Sequence, residues 1–158
     1  MNGEHMKSWA AGFIDGEGCF TVEAKRYKDG RQKDVYYRPR MSVQVRRDDE
    51  RCLKRLQEAI GNDGYLYRRK SRKASTYGST SKPTSECSWH TMAGTIALVN
   101  MLDIHPLLGK KAEEYKVWRD AVLIYTNTDM PSQERQQQLS PMRTILQQLK
   151  KYRDDGQE

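Results

Sequence analysis

The chain has 158 residues, 36% of them hydrophobic and 31% charged, with a formal net charge of +7. That length suits one compact domain and is short for two, and no apolar run approaches the ~20 residues that cross a bilayer. The polar stretch Met1–Lys7 lacks the apolar core of a signal peptide, so the excess charge points to a polyanion such as nucleic acid, with no membrane partner expected.

Ser8 to Gly16 reads as a short helix, ended by Gly16 and Gly18, with Trp9, Phe13 and Ile14 on its core side. A period-2 stretch follows: Phe20, Val22 and Ala24 point one way, Thr21, Glu23, Lys25 and Tyr27 the other. Asp29-Gly30 is a hairpin turn signal. On the return strand Met41, Val43 and Val45 oppose Arg38, Arg40, Ser42, Gln44 and Arg46. Asp48 or Asp49 then caps a helix with the apolar stripe Leu53, Leu56 and Ile60, stopped by Gly61. A second strand pair is expected at about 65–70 and 86–91, presenting Tyr65, Tyr67, Arg69, Ser88 and His90 outward.

Between those strands, Ser71 to Ser85 is a Ser/Thr/Lys/Gly-rich linker with the composition of a mobile segment. A helix at about 93–102 and a longer one carrying Tyr115, Trp118, Val122 and Tyr125 come next. Pro131 marks a break, and a last helix starts at Ser140-Pro141 with Met142, Ile145, Leu149 and Tyr152 inward. The order is αββαββα plus a tail: an α+β fold with helices on one side of an antiparallel sheet. Residues 1–127 form the domain, and 128–158 a C-terminal helical tail packed on it.

Basic charge is concentrated rather than spread. Residues 25–47 hold nine Lys/Arg against two acids, 64–85 hold six against none, and 112–158 hold seven against eight acids. Cys19, Cys52 and Cys87 form no CxxC pair, and the three histidines have no ligand spacing. A disulfide framework or zinc site is therefore not expected, and an intracellular, reducing compartment is.

The sharpest local feature is Ala10-Ala11-Gly12-Phe13-Ile14-Asp15-Gly16-Glu17-Gly18. Gly12 and Gly16 lie four apart, on one helix face without side chains, where a second helix can approach backbone to backbone. Glu17 falls at the negative end of the helix dipole, an unfavourable place for a carboxylate unless a cation offsets it. By themselves these residues fit two readings equally: a glycine-ended helix with an exposed Glu, or two such helices bringing two Glu17 carboxylates to a divalent cation.

The nine residues resemble the LAGLIDADG signature of homing endonucleases, in the AGFxDGxG form of the single-motif, homodimeric type. Two glycines, two acids and the apolar pair are in register, and the element order fits through about Tyr125. The resemblance implies a sequence-specific DNA endonuclease, a homodimer joined through Gly12 and Gly16, acting on double-stranded DNA with Mg²⁺, for which Mn²⁺ substitutes. It implies that Glu17, where Asp is commoner, binds the metal with the carbonyl of Gly16, and that Asp15 braces the helix end. By alignment, a peripheral catalytic shell falls at Arg47, Arg51 and Lys111. Arg47 stands where Gln is usual, and Lys110 adjoins Lys111.

A two-stranded ribbon fits the major groove with alternate side chains toward base edges. Arg38 and Arg40 then suit guanine and Gln44 adenine, with Thr21, Glu23, Lys25, Tyr27, Ser42, Tyr67, Arg69, Ser88 and His90 completing the DNA-binding set. About ten strand residues at ~3.3 Å span roughly ten base pairs, so a symmetric pair covers roughly twenty, near-palindromic. The competing function is a non-catalytic nucleic-acid-binding protein on the same scaffold: an RNA-splicing maturase with intron RNA as partner, or a DNA-binding regulator. Retention of Glu17 favours the enzyme. An adaptor docking through the tail helices would leave the basic ribbon without a role.

Overall fold

The computed structural model of the chain describes residues 2–26, 35–70 and 82–155, with side chains described to residue 151. Its elements are α1 (Gly3–Glu17), β1 (Gly18–Arg26), β2 (Val35–Arg46), a 3-10 turn (Arg47–Asp49), α2 (Arg51–Ile60), β3 (Tyr65–Arg69), β4 (Thr84–Trp89), α3 (Met92–Ile104), α4 (Lys111–Tyr125) and α5 (Ser132–Asp155). This is the expected α+β order with an antiparallel sheet. The Asp29-Gly30 turn, Tyr27 and residues 71–81 of the linker lie outside the described residues, as does the side chain of Tyr152.

α1 starts at Gly3, five residues before the expected Ser8. The Asn2 side chain accepts the Glu4 N–H at 3.2 Å and so caps a helix that includes the polar segment from Gly3. Its contribution to the core is Ala10, Ala11 and Ile14. Trp9 and Phe13, expected inside, are half-buried and stack on each other with centroids 5.1 Å apart. α2 needs no carboxylate cap. Asp48 pairs instead with Arg46 at 2.6 Å, Asp49 accepts the Cys52 thiol at 3.4 Å, and the chain turns through the 3-10 segment. Gly61 ends α2 at φ +73°, in the left-handed region that glycine enters without a Cβ penalty.

The two expected strand pairs are one sheet, in the order β1-β2-β4-β3. β2 is twelve residues long and serves both neighbours: Val35–Val43 pair with β1, and Met41–Arg46 pair with β4. Side-chain alternation then sorts the sheet into two faces. Phe20, Val22, Met41, Val43, Cys87 and Trp89 are buried on the helix side, whereas Ala24, assigned to that face, is exposed near the end of β1. Indole N–H groups reach carbonyls beside this core, Trp118 donating to Arg40 at 3.2 Å and Trp89 to Asn62 at 3.0 Å. Burial pushes the Cys87 thiol up to about 11. β4 begins at Thr84 and ends at Trp89, so His90 lies just past the strand rather than in it.

The tail departs most from expectation. Pro131 does precede a helix, but α5 runs unbroken from Ser132 with Pro141 inside it. Pro141 and Gln137, whose carbonyl the missing N–H would have paired, are both exposed, so water can satisfy that carbonyl. Leu139 and Leu146 are the fully buried residues of α5 and belong to the common core; Met142 and Leu149 are half-buried and Ile145 is exposed. The Gln136 amide accepts the Tyr37 N–H and donates to the Tyr37 carbonyl at 2.9 Å. That side chain satisfies the backbone of β2 at a residue beyond its pairing with β4. Among the described residues no helix is long and apolar enough to cross a membrane.

Candidate active site and nucleic-acid interface

α1 delivers Glu17 to the start of β1, at the edge of an open cleft of about 530 Å³ lined by Phe13, Glu17, Gln44, Val45, Arg46, Asp48, Asp49 and Arg51. The Glu17 side chain is exposed, and among the described residues it has no hydrogen-bond or ion-pair partner. A solvated carboxylate at a helix C-terminus, with no ion-pair partner among the described residues, suits a hard cation bound through oxygen. Among the described residues no group of three or more His, Cys, Asp or Glu side chains can hold a metal.

On the other side of the same helix end, a second open cleft of about 540 Å³ is lined by Gly12, Asp15, Gly16, Gly109, Lys110 and Lys111. A Cβ built on Gly12 or Gly16 would meet nothing within 4 Å, so the glycine face is bare. Lys111, at the start of α4, donates from Nζ to the Gly16 carbonyl at 3.0 Å. The carbonyl expected to hold metal thus already accepts one donor, although it has a second lone pair. Asp15 has the bracing position expected of it. Its Oδ2 accepts the N–H groups of Leu108 at 3.1 Å and Gly109 at 2.8 Å, tying α1 to the entry of α4.

The expected shell residues separate. Arg51 lines the Glu17 cleft, 78% exposed, with Asp49 only 3.6 Å away. Lys111 is anchored at the helix end. Arg47 is not in the cleft: its guanidinium donates to the Arg69 carbonyl at 3.0 Å and joins the 3-10 turn to β3. Arg46, which keeps the parity of Gln44, lines the cleft instead.

The polar sheet face gathers most of the expected DNA-binding set. Register places Thr21 opposite Arg40, Glu23 opposite Arg38, Ser42 opposite Ser88 and Tyr65 opposite Ser88. Glu23, Lys25, Arg38, Arg40, Tyr65, Tyr67, Arg69, Glu86, Ser88 and His90 together line a concavity of about 350 Å³. Thr21 donates to the Arg40 carbonyl at 3.2 Å, and Gln44 donates to Thr84 at 3.1 Å while also lining the Glu17 cleft. Gln44 therefore joins the sheet face to the acidic centre. The Tyr65 and Tyr67 rings are exposed; His90 lies 5.6 Å from the first, and Arg69 sits over the second at 5.8 Å. Burial, with Arg38 nearby, lowers the pKa of His90 below its ordinary value, favouring the neutral ring.

Ser88 was expected to point outward and does, yet it is 8% exposed, because long side chains from the flanking strands lie over β4. The same burial hides a residue that reasoning from the sequence missed. Glu86 shares the parity of Ser88 and pairs with both Arg40 and Arg69, the latter at 2.8 Å. The period-2 pattern running back from Ser88 was the signal that could have found it. Arg68, of opposite parity, leaves this face and forms a bidentate pair with Glu50 at 2.6 and 2.9 Å.

The model of a family described as LAGLIDADG endonuclease matches residues 10–122. A curated relative, "Probable intron-encoded endonuclease Cox1-I1b" of Schizosaccharomyces pombe, is 25% identical over 145 residues, which is 91% of this chain and 34% of that protein. The chain thus spans about a third of the length of the curated relative it matches. Among solved structures, the homing endonuclease I-TnaI superposes with a TM-score of 0.68 at 20% identity, covering 94% of this chain and 96% of its own. The homing endonuclease I-CvuI in complex with its target gives 0.67 at 19% identity, covering 93% and 83%. These structural likenesses show the fold, and the matched signature and its span show more: the chain belongs to the LAGLIDADG endonuclease family.

Proposed function

We propose that the chain is one subunit of a homodimeric endonuclease that hydrolyses phosphodiester bonds in a long, near-palindromic duplex DNA site, with Mg²⁺ as cofactor. The observation that carries this reading is the end of α1, where an unpartnered Glu17 carboxylate adjoins the bare Gly12/Gly16 face. Two copies joined at that face bring two carboxylates together. I-CvuI, of the same fold, was solved in complex with its target in the presence of Ca, and the curated relative is named an endonuclease. Both support the reading.

Glu17 would hold the cation through oxygen, with the Gly16 carbonyl as a second donor. The chemistry such an ion would supply there is activation of water and stabilisation of charge on the phosphate and leaving oxygen. Lys111, held at the helix end, brings an ammonium to the phosphate, and exposed Arg51 orients the neighbouring backbone. Arg38, Arg40 and Arg69 meet base edges, with Gln44 nearest the cut.

Glu17→Gln keeps the side-chain shape and removes its charge. In a duplex library with Mg²⁺ the variant should bind its target as wild type does and cleave below detection. Cleavage near the wild-type rate would remove Glu17 from the site. A wild type that binds duplex tightly but cuts no selected target in Mg²⁺ or Mn²⁺ would make the chain a non-catalytic binding protein.

A further inference from the structure

We propose that Glu86 is a positioning residue for sequence discrimination, holding Arg40 and Arg69 in fixed poses on the face that reads DNA; this rests on the reading above.

Glu86 is in β4, the strand between β2 and β3, so it has an arginine-bearing strand on each side. Register sets it opposite Gln44 on one side and Tyr67 on the other. Its side chain is 9% exposed, and its two oxygens are divided: Oε1 accepts from Arg40 Nη2, and Oε2 accepts from Arg69 Nη2 at 2.8 Å. On the far side of Arg40, Glu23 pairs with Arg38 and lies 3.9 Å from the Arg40 guanidinium. Acid and base thus alternate across all four strands, Arg38–Glu23–Arg40–Glu86–Arg69.

A nearly buried carboxylate in a surface that meets phosphates opposes simple adhesion, since it cancels charge that would release counterions. Its value is geometric. A guanidinium has five N–H donors, and a bidentate contact to guanine uses two. Arg69 engages Glu86 through one amino group, and Arg40 does so while a second amino group reaches Ser42 at 3.5 Å. Each keeps N–H groups that these hydrogen bonds do not use. An arginine already immobilised loses less rotamer freedom on binding. It also cannot swing to a neighbouring base or phosphate when the right base is absent, and that loss of alternatives is what discriminates. A purely structural ion pair would affect stability and leave discrimination alone.

The test compares full-length wild type and Glu86→Gln on the duplex selected by wild type and on its single-base-pair variants. Glu86→Gln should bind non-specific duplex more tightly at low salt, with a steeper salt dependence of affinity. Discrimination should fall about tenfold at the base pairs read by Arg40 and Arg69, and hold elsewhere. In an Arg40→Ala background it should cause no further loss at the Arg40 position. Unchanged discrimination at every base pair would overturn the proposal while leaving DNA recognition intact. A wild type that selects no duplex would instead overturn the underlying reading. If Glu86→Gln fails to fold, guanidinium relaxation by NMR in wild type decides: Arg40 and Arg69 should be ordered relative to Arg51, and equal mobility refutes the brace.

Discussion

The sheet face and the end of α1 satisfy their charges in opposite ways. On the sheet, arginines and glutamates from four strands pair with one another, and Glu86 is buried beneath them. At the end of α1, Glu17 stands in solvent with no partner among the described residues, and Gly12 and Gly16 face open space. The first surface satisfies its charges within one chain. The second presents a solvated carboxylate beside a bare helix face. On the proposed reading, recognition is prebuilt in the subunit and chemistry waits for assembly.

Breaking the incomplete region should have the largest effect. Gly12→Leu puts a branched side chain on the face where two α1 helices are to meet. Light scattering should then report monomer in place of dimer, with cleavage lost. A wild type that is monomeric both free and on DNA would end the shared-site model. Asp15→Ala removes the acceptor of the Leu108 and Gly109 N–H groups, and urea unfolding should show a loss of roughly 1–3 kcal/mol. A smaller cost, about 1 kcal/mol, is expected for Gln136→Ala, with faster hydrogen exchange at the Tyr37 amide. An unchanged Tyr37 exchange rate would show that α5 does not hold that part of β2.

The smallest effect sharpens the comparison from the complete side. Hydrogen bonds from Arg68 and Ser85 hold the Glu50 carboxyl down to about 2, against 4.5 ordinarily. A depressed carboxyl stabilises the fold above its unfolded value and ceases to do so as pH falls through the folded one. Glu50→Gln should therefore lower the thermal midpoint at neutral pH, with the difference closing between about pH 4.5 and pH 2. A gap that persists at the lowest pH would assign the loss to packing.

Much of this was legible in order of residues. Alternation along 38–46 separates Arg38, Arg40, Ser42 and Gln44 from Met41 and Val43, and both faces are found as expected. Glu86 was not, because its importance arises from β4 lying between β2 and β3, a neighbour relation across 46 residues of chain for Arg40 and 17 for Arg69. Arg47 was assigned by alignment to the shell around Glu17, yet the 3-10 turn directs it to β3. Pro141 marked a helix start by its chemistry, but Leu139 and Leu146 lie on either side of it in one core.

The sequence by itself determined the helix that ends in Glu17, the two-faced strands, the concentration of basic charge and the family signature, all of which are local patterns of spacing. The tertiary structure decided which charges cancel. It set Glu86 between two arginines, turned Arg68 to Glu50, tied Lys111 to Gly16 and left Glu17 in solvent. Coulomb and hydrogen-bond energies depend on distances between residues far apart in the chain, and no periodicity along the chain encodes those distances.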